Sequence, residues 1–311
     1  MQHFLTIDRT SVRILLTGAS GFLGRALLHQ LLKENHQILA IARNPLLVEY
    51  PSVYWKSADL NQPSTYQAQL SEFSPEALIH LAWQDIPNFS LSTSLLNLQH
   101  SLSLFRTVLE LGNCQKILVA GSCWELNKQQ GECLESEAGS PRDHFTWAKH
   151  SLHSWLDMET SQRGISLGWL RIFYVYGPRQ RSASLLPTIF KELQERRLPQ
   201  LKTPHNANDF VFVEDVGKGF VQAIEHKFQS GVFHLGSGHS TPVWQLCQAA
   251  EELIWGTTVL TEELMEKHPK PTQAEVEFWA NCERSQQFLG WSPLTSLETG
   301  IQKTWEWMQA A

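Results

Sequence analysis

The sequence has little basic charge and no long apolar run, and these absences exclude two classes of partner. Its 311 residues contain 25 lysines and arginines against 31 acidic residues, which gives a net charge of −6. Nucleic-acid binding needs clustered basic side chains that neutralise phosphates, and this composition does not favour it. No uncharged stretch approaches the roughly 18 residues of a membrane-spanning helix. We therefore expect neither nucleic acid nor a membrane as a partner.

Cysteine is scarce and scattered. The chain has five cysteines, with no CxxC pair and no spacing typical of a zinc site. This distribution suits free thiols in a reducing compartment, so we expect no bound metal. The first apolar run, Ile14 to Leu16, is far too short for the hydrophobic segment of a secretory signal. A cytoplasmic location is the expectation that follows.

The N-terminal half alternates apolar runs with helical patterns. The runs VRILLTG, QILAIAR, ALIHLAW and KILVAGS are typical of parallel strands buried on both faces. Between the last two runs, apolar residues step by three and four, which predicts an amphipathic helix: Leu95, Leu98, Leu102, Phe105 and Leu109. Strand–helix alternation of this kind predicts an α/β fold, a doubly wound parallel sheet of the Rossmann type.

The C-terminal half is less regular, because prolines interrupt it at 187, 199, 204 and 242. The pattern predicts a Rossmann dinucleotide-binding domain over residues 1–175. A smaller substrate-binding lobe is predicted mainly over 176–311, with some segments returning to the first domain. In such folds the ligand lies at the carboxyl ends of the strands, so we expect the site between the two parts.

The segment TGASGFLG places three glycines between a predicted strand and a predicted helix. Gly18 permits a tight turn, Gly21 lets the backbone approach a pyrophosphate, and Gly24 allows close packing of helix and strand. The helix N-terminus would then direct free N–H groups at the phosphates. This turn predicts a dinucleotide site that also includes Ser20, Phe22 and Leu23.

The residue at the end of the second predicted strand indicates which dinucleotide binds. An acidic residue there would hydrogen-bond the ribose of NAD, whereas this chain has Arg43. A guanidinium can hold a 2′-phosphate through two parallel hydrogen bonds, so NADP is favoured and NAD is the alternative. A solvated residue at a strand end is the other interpretation of Arg43. Asp59 either caps the adenine region or lies in a turn.

These motifs together resemble the extended short-chain dehydrogenase/reductase family, in particular its sugar-nucleotide epimerases, dehydratases and reductases. The resemblance rests on TGASGFLG, ADL, HLAW, GSCWE, RIFYVYGPRQ, DFVFVEDV, GVFHLGSG and LGWSPL in this order. It implies a nucleotide-sugar substrate, and a homodimer formed by the helix from about Ser94 and the helix after Phe145. It further implies two groups of binding residues. The cofactor side adds Leu60, Leu81, Ala82, Trp83, Lys149 and Tyr174, and the substrate side has Trp83, Cys123, Trp124 and Arg179.

The resemblance also implies catalytic roles, with one departure. Ser122 falls on the Ser/Thr position that orients the substrate oxygen, and Lys149 falls on the Lys of the YxxxK motif. In the family this Lys holds the nicotinamide ribose and lowers the pKa of the catalytic Tyr. The Tyr position here is Phe145. A phenyl ring cannot donate a proton, and general acid–base catalysis is worth roughly 10²–10⁴-fold in rate.

Three interpretations of Phe145 stay open. The first is an active enzyme with another proton donor, for which His144 is the leading candidate, ahead of Thr146 and Tyr174. A bound water or an ionisable group of the substrate is a further possibility. The second is a binding or sensing protein that keeps the cofactor pocket without turnover. The third is an engineered Tyr-to-Phe change, which would remove only the hydroxyl.

The reaction class is narrowed by the residues after Ser122. Family dehydratases have an Asp–Glu pair there, and this chain has Cys123 and Trp124, which argues against dehydration. Glu125 follows one position later and is expected to face another direction. The segments HLAW and GSCWE are most similar to those of reductases of 4-keto-6-deoxy sugar nucleotides. A reductase is therefore predicted, with an epimerase as the alternative.

Overall fold

The computed structural model describes residues 11–46, 51–272 and 275–310. The first ten residues of the predicted dinucleotide domain therefore lie outside the described part. The described strands, in chain order, are β1 (Arg13–Thr17), β2 (Gln37–Ala42), β3 (Val53–Ser57), β4 (Ala77–His80), β5 (Lys116–Ser122), β6 (Gln130–Cys133), β7 (Ser166–Ile172), β8 (Tyr174–Tyr176), β9 (Ala207–Asn208), β10 (Phe210–Phe212), β11 (Gly231–Leu235), β12 (Thr241–Pro242) and β13 (Glu277–Ala280).

The α-helices alternate with these strands through the N-terminal half and cluster towards the C-terminus. In the described ranges they are α1 (Phe22–Leu31), α2 (Gln67–Phe73), α3 (Leu91–Leu111), α4 (His144–Arg163), α5 (Leu185–Gln194), α6 (Val213–Glu225), α7 (Val243–Trp255), α8 (Val259–Lys267), α9 (Glu283–Leu289) and α10 (Leu297–Ala310). Of the helices in these ranges, none combines the length and the apolar character that crossing a bilayer requires.

The main sheet has seven parallel strands in the order β11–β7–β5–β4–β1–β2–β3. Its strands are continuous apolar runs because both faces are covered. One face packs mainly against α1 and α6, and the other mainly against α3 and α4. This confirms the predicted doubly wound α/β fold. The strand order reverses between β1 and β4, which is where such sheets bind their ligands.

The smaller lobe is built from segments of both halves of the chain. Its four-stranded sheet has the order β12–β9–β13–β6, and a separate pair joins β10 to β8. Strand β6 comes from the first half of the chain and pairs with β13 near the end. Conversely, β11 leaves the lobe and completes the main sheet beside β7. The chain thus crosses between the two sheets more than once, and the division into two domains near residue 175 stays a prediction.

In its first half, helix α3 buries polar residues as well as part of the face that the leucine spacing predicted. Leu95 is 43 % exposed, and Leu98 and Leu102 are only half buried. The buried positions in the first half of the helix are instead polar, with Asn97 and Ser101 almost fully covered. Leu98 and Leu102 nevertheless pack against the edge of the apolar core that contains Phe105 and Leu109, so of the predicted stripe only Leu95 lies outside it. The first half of α3 also covers a polar cleft.

Candidate active site

The glycine turn between β1 and α1 is as tight as the sequence predicts. Gly18 has a φ of +75°, and a Cβ there would lie 2.8 Å from Ala82 N on the neighbouring loop. A Cβ on Gly24 would overlap the carbonyl oxygen of Gly18 and lie 2.7 Å from the Cα of Ala19. No side chain caps the N-terminus of α1, where Gly21 is the N-cap residue. The free N–H groups of this turn therefore form a cradle that suits an anionic pyrophosphate.

A cleft of about 240 Å³ runs from this turn across the carboxyl ends of β1, β2 and β4. The lining residues that the sequence predicted are Gly18, Ser20, Gly21, Arg43, Asp59, Leu60, Leu81, Ala82 and Trp83. Those that it missed are Ile41, Ala42, Asn44, Ala58, Gln84, Asn97, His100 and Ser101. Phe22, Leu23, Gly24, Lys149 and Tyr174 were predicted with this group and do not line the cleft. The shape and the glycine cradle fit a dinucleotide.

The C-terminal end of β2 and the loop after β3 form one end of the cleft, and two charged groups lie there. The side chain of Arg43 is exposed at the end of β2. Asp59 faces His100 of α3, with 3.9 Å between Oδ1 and Nδ1. The Asp59 carboxylate also accepts a hydrogen bond from Asn61 N at 2.9 Å, so it stabilises its own turn. Within the described ranges no side chain pairs with the Arg43 guanidinium, so it can meet an anion there, whereas Asp59 has contacts within the protein.

A buried hydrogen-bond network supports the floor of the cleft. His80 Nδ1 lies 2.8 Å from Thr17 Oγ1, and His80 Nε2 lies 3.1 Å from Ser101 Oγ. Burial, helped by the positive charge of Lys149, lowers the pKa of His80 to about 3, so the ring stays neutral. Asn97 accepts a hydrogen bond from Gln84 N at 2.7 Å. These contacts fix the loop after β4, and sequence reasoning missed them because polar side chains interrupt the expected apolar face of α3.

Ser122 ends β5 and begins the short helical turn that contains Cys123, Trp124 and Glu125. Its hydroxyl accepts a hydrogen bond from Trp124 N at 3.2 Å. Glu125 turns inward and accepts hydrogen bonds from Ser122 N at 2.7 Å and from Trp169 Nε1 at 2.8 Å. The expectation that Glu125 faces another direction than Ser122 agrees with this arrangement. Glu125 thereby fixes the backbone of the turn that presents Ser122.

Lys149 and Phe145 lie one turn apart on the buried face of α4. Lys149 Nζ donates a hydrogen bond to Ala120 O at 2.7 Å and lies 4.1 Å from the centre of the Trp83 ring. The Trp83 ring is perpendicular to that of Phe145, with centres 5.6 Å apart. Since Trp83 also lines the cleft, this contact joins the dinucleotide cleft to the predicted catalytic residues.

An aromatic cluster covers the position of Phe145. Phe89, from the loop after β4, lies 4.8 Å from Phe145 and 5.2 Å from Trp124 between ring centres. The guanidinium of Arg142 stacks 4.4 Å above the Trp124 ring. Trp124 was predicted to contact substrate, whereas nothing in the sequence indicated Phe89 or Arg142. Aromatic faces with a cation at the rim suit a polar ligand that carries apolar patches.

The structure distinguishes the candidates for a substitute proton donor. His144 is the exposed first residue of α4, while its neighbour Phe145 is buried. Thr146 Oγ1 closes a capping box with Asp143. Tyr174 accepts a hydrogen bond from Trp124 Nε1 at 3.2 Å, and burial raises its pKa to about 12. His144 is therefore exposed away from the buried face of α4, the Thr146 hydroxyl is engaged at the helix N-terminus, and Tyr174 is a very weak acid. The placement or the acidity of each group thus does not favour it as the proton donor beside Ser122.

The structure also shows the surroundings of Cys123 and Arg179, which were predicted to contact the substrate. Cys123 is buried among apolar residues, and burial raises its pKa well above the usual value, so it is a packing residue and not a nucleophile. Arg179 is an exposed turn residue with a φ of +71°. It is Arg181, two positions later, that donates a hydrogen bond to Ile86 O on the loop that carries Phe89.

Comparison with known proteins identifies the family. The profile of the NAD-dependent epimerase/dehydratase family matches residues 14–236. The dTDP-6-deoxy-L-talose 4-dehydrogenase (NAD(+)) of Aggregatibacter actinomycetemcomitans is 27 % identical over 250 residues, which cover 78 % of this chain and 90 % of that protein. The dTDP-4-dehydro-6-deoxyglucose reductase of Escherichia coli is 24 % identical, with 96 % and 98 % covered.

A solved structure shows the same fold. The Bordetella bronchiseptica enzyme WbmG, in complex with NAD and UDP, superposes with a TM-score of 0.79 at 18 % identity. The alignment covers 98 % of this chain and 96 % of that one. The resemblance therefore extends through the smaller lobe as well as the sheet.

Proposed function

This chain belongs to the NAD-dependent epimerase/dehydratase family, and from that premise we propose that it is an NADP(H)-dependent reductase of a nucleotide-linked 4-keto-6-deoxy sugar. The observation that carries the proposal is the position of Trp83. It lines the dinucleotide cleft and at the same time contacts both Lys149 and Phe145. A nicotinamide at that end of the cleft and a sugar against the aromatic cluster would therefore be neighbours.

The bound cofactor supplies or accepts hydride, and the residues of this chain bind and orient the reactants. The Gly18–Gly24 turn holds the pyrophosphate through backbone N–H groups. Lys149 holds the nicotinamide ribose, as the family resemblance implies. The Ser122 hydroxyl donates a hydrogen bond to the substrate oxygen, at the end of a strand whose backbone Glu125 fixes. The Phe89 ring packs beside Phe145 and Trp124 and would limit the access of water on that side.

Reduction is favoured over the other reactions of the family. The positions after Ser122 carry Cys123 and Trp124, so the acid–base pair of a dehydratase is missing there. Two relatives, at 27 % and 24 % identity, are named for oxidoreductions at C4 of 6-deoxy sugar nucleotides. Epimerases share the same Ser and Lys positions, and an epimerase acting on the same substrate class is the second candidate.

The proposal predicts consumption of NADPH. The purified protein, offered a panel of 4-keto-6-deoxy nucleotide sugars, should oxidise NADPH in proportion to the hydroxyl sugar formed, followed by absorbance and by chromatography of the product. An epimerised product without net oxidation of NADPH would assign the second candidate instead. Tight NADPH binding with no product from any sugar would favour a binding or sensing role.

Arg43 should determine the preference for NADP(H). Replacing it in Arg43→Ala removes a guanidinium that can pair with the 2′-phosphate, so the affinity for NADPH should fall about 10- to 100-fold. The affinity for NADH, which lacks this phosphate, should stay unchanged. Fluorescence titration of both cofactors measures the effect, and Arg106→Ala, at an exposed arginine of α3 outside the cleft, controls for the lost charge. Equal losses for both cofactors would show that Arg43 does not select the phosphate.

We propose in addition that two copies associate through α3 and α4, as the family resemblance implies. Large apolar side chains on these helices are 40–50 % exposed, namely Leu91, Leu95, Trp147 and Met158. Burying them between two protomers would remove apolar surface from water. The mass in solution, measured by light scattering, tests this proposal, and Leu95→Glu should shift the protein towards the monomer.

A further inference from the structure

Lys149 is a buried cation of the site with hydrogen-bonding capacity to spare. An ammonium group has three N–H donors, and in the described part of the chain only Ala120 O accepts one of them. The side chain is 5 % exposed and lies against the face of Trp83. Two of its N–H groups are therefore available to a ligand that enters beside Trp83.

The other polar groups near Phe145 are committed or lie elsewhere. Thr146 and Tyr174 make hydrogen bonds within the protein, and His144 is exposed at the start of α4. His80 is fully buried between Thr17 and Ser101, behind the cleft. Tyr174 keeps its own O–H, but burial raises its pKa to about 12, so it is a much weaker acid than Lys149. Among the described residues, Lys149 is thus the ionisable group that contacts Trp83, has N–H groups to spare and has a pKa near the working range.

Glu125 lies beneath the site as a counter-charge. Its oxygens accept hydrogen bonds from Ser122 N and Trp169 Nε1, and Arg171 Nε lies 3.6 Å from Oε2. Burial raises the pKa of Glu125, and the charges of Arg171 and Lys149 and the hydrogen bonds from Ser122 and Trp169 oppose that shift. All three neighbours are donors, so they stabilise the ionised form of the carboxylate. Glu125 is 2 % exposed, so its charge acts on Lys149 through protein and with little screening by water.

We propose that Lys149 itself delivers the proton to the substrate oxygen, and that Glu125 is a positioning residue whose negative charge controls the ionisation of Lys149. This inference rests on the proposed reductase function. As the carbonyl carbon gains hydride from a reduced nicotinamide dinucleotide, the carbonyl π electrons move to oxygen. That oxygen forms a bond to a proton as an N–H bond of Lys149 breaks. The neutral amine then regains a proton from water.

The pH dependence follows from the surroundings of Lys149. Burial lowers its pKa to about 8, and the charge of Glu125 opposes that shift. The groups that face Lys149 are Glu125, after β5, and His80 on β4, whose pKa of about 3 keeps it neutral throughout this range. A proton donor works in its protonated form, so reduction should be fully present well below pH 8, fall to half at about pH 8 and be lost as the pH rises further.

The test combines a titration with kinetics. Carbon-13 NMR of protein labelled at the lysine side chains, with the signal assigned through Lys149→Arg, should show Lys149 titrating at about 8. In Glu125→Gln the midpoint should move to lower pH, and the alkaline limb of kcat should move with it. Glu137→Gln removes a carboxylate that pairs with Lys128 instead, so it should leave both midpoints in place.

Lys149→Arg keeps a positive charge but holds its proton at all accessible pH values. It should therefore bind NADPH and lose about 10²-fold or more in kcat. The inference would be overturned if the pH at which kcat falls did not follow the Lys149 midpoint measured by NMR. It would also be overturned if Lys149 titrated near the pKa of an exposed lysine. Either result would leave the reductase function intact. No turnover by the unaltered protein would overturn both together, and it would be seen before any variant is made.

Discussion

Gly24→Ala should destabilise the protein by about 3 kcal/mol or more and weaken NADPH binding, because the added methyl group has only backbone to displace. It would overlap Gly18 O and approach the Cα of Ala19 to 2.7 Å. Relief requires α1 to move away from the turn, and that movement would open the cradle for the pyrophosphate. Denaturant unfolding measures the stability, and fluorescence titration measures the affinity for NADPH.

Gly112→Ala is the matched control. Gly112 ends α3 with a φ of +71°, and a Cβ there would meet nothing within 4 Å. The substitution therefore costs only the strain of the left-handed conformation, about 1–2 kcal/mol, and should leave NADPH affinity unchanged. If Gly24→Ala cost no more than this control and bound NADPH normally, the close packing between the turn and α1 would not be what limits the site.

The parts of the fold that the sequence predicted are those in which burial is continuous. The strands β1, β2, β4 and β5 are covered on both faces, so their apolar runs stand out. Strand β3 was not predicted, because it lies at the edge of the sheet and only Val53 is fully buried. The strands of the small sheet have two to four residues, too few to show a period.

The candidate site likewise contains residues that the sequence predicted and residues that it missed. The residues at the turn and at the strand ends were predicted because their positions follow from the order of strands along the chain. Asn97 and Ser101 were missed because they reach the cleft from a helix, where the leucines suggested another buried face. Phe89 comes from an irregular loop, and its contact with Phe145 depends on tertiary structure alone. Local sequence therefore predicts the cofactor side of the site better than the substrate side.

The resemblance to the family identified candidate catalytic positions that the hydrophobic periodicity of the sequence could not identify. Ser122 and Lys149 are separated by 26 residues and an intervening strand, β6. The structure brings the Lys149 side chain to the end of β5, where its ammonium group donates a hydrogen bond to Ala120 O, two residues before Ser122. The substitution at Phe145 was visible in the sequence, whereas the ionic environment that Glu125 gives Lys149 was visible only in the structure.

Phe145→Tyr should raise kcat for the sugar-nucleotide reduction by about 10- to 100-fold. The substitution adds a hydroxyl one helical turn from Lys149, at the position where the family has its general acid. The neighbouring ammonium would lower the pKa of that phenol. The gain is smaller than the full 10²–10⁴ or so of general acid catalysis, because Lys149 already supplies a proton in our proposal. Steady-state NADPH oxidation at pH 7 measures it.

The control for this gain is a hydroxyl placed elsewhere in the same aromatic cluster. Phe89→Tyr makes the same chemical change on the ring that packs 4.8 Å from Phe145, and it should not raise kcat. His144→Ala, at the exposed neighbouring position, should leave turnover unchanged in either background. If Phe89→Tyr raised kcat and Phe145→Tyr did not, the substrate oxygen would lie on the side of the cluster formed by the Phe89 loop. The reacting carbonyl would then not lie between Ser122 and Lys149, and the proposed orientation of the sugar would be wrong.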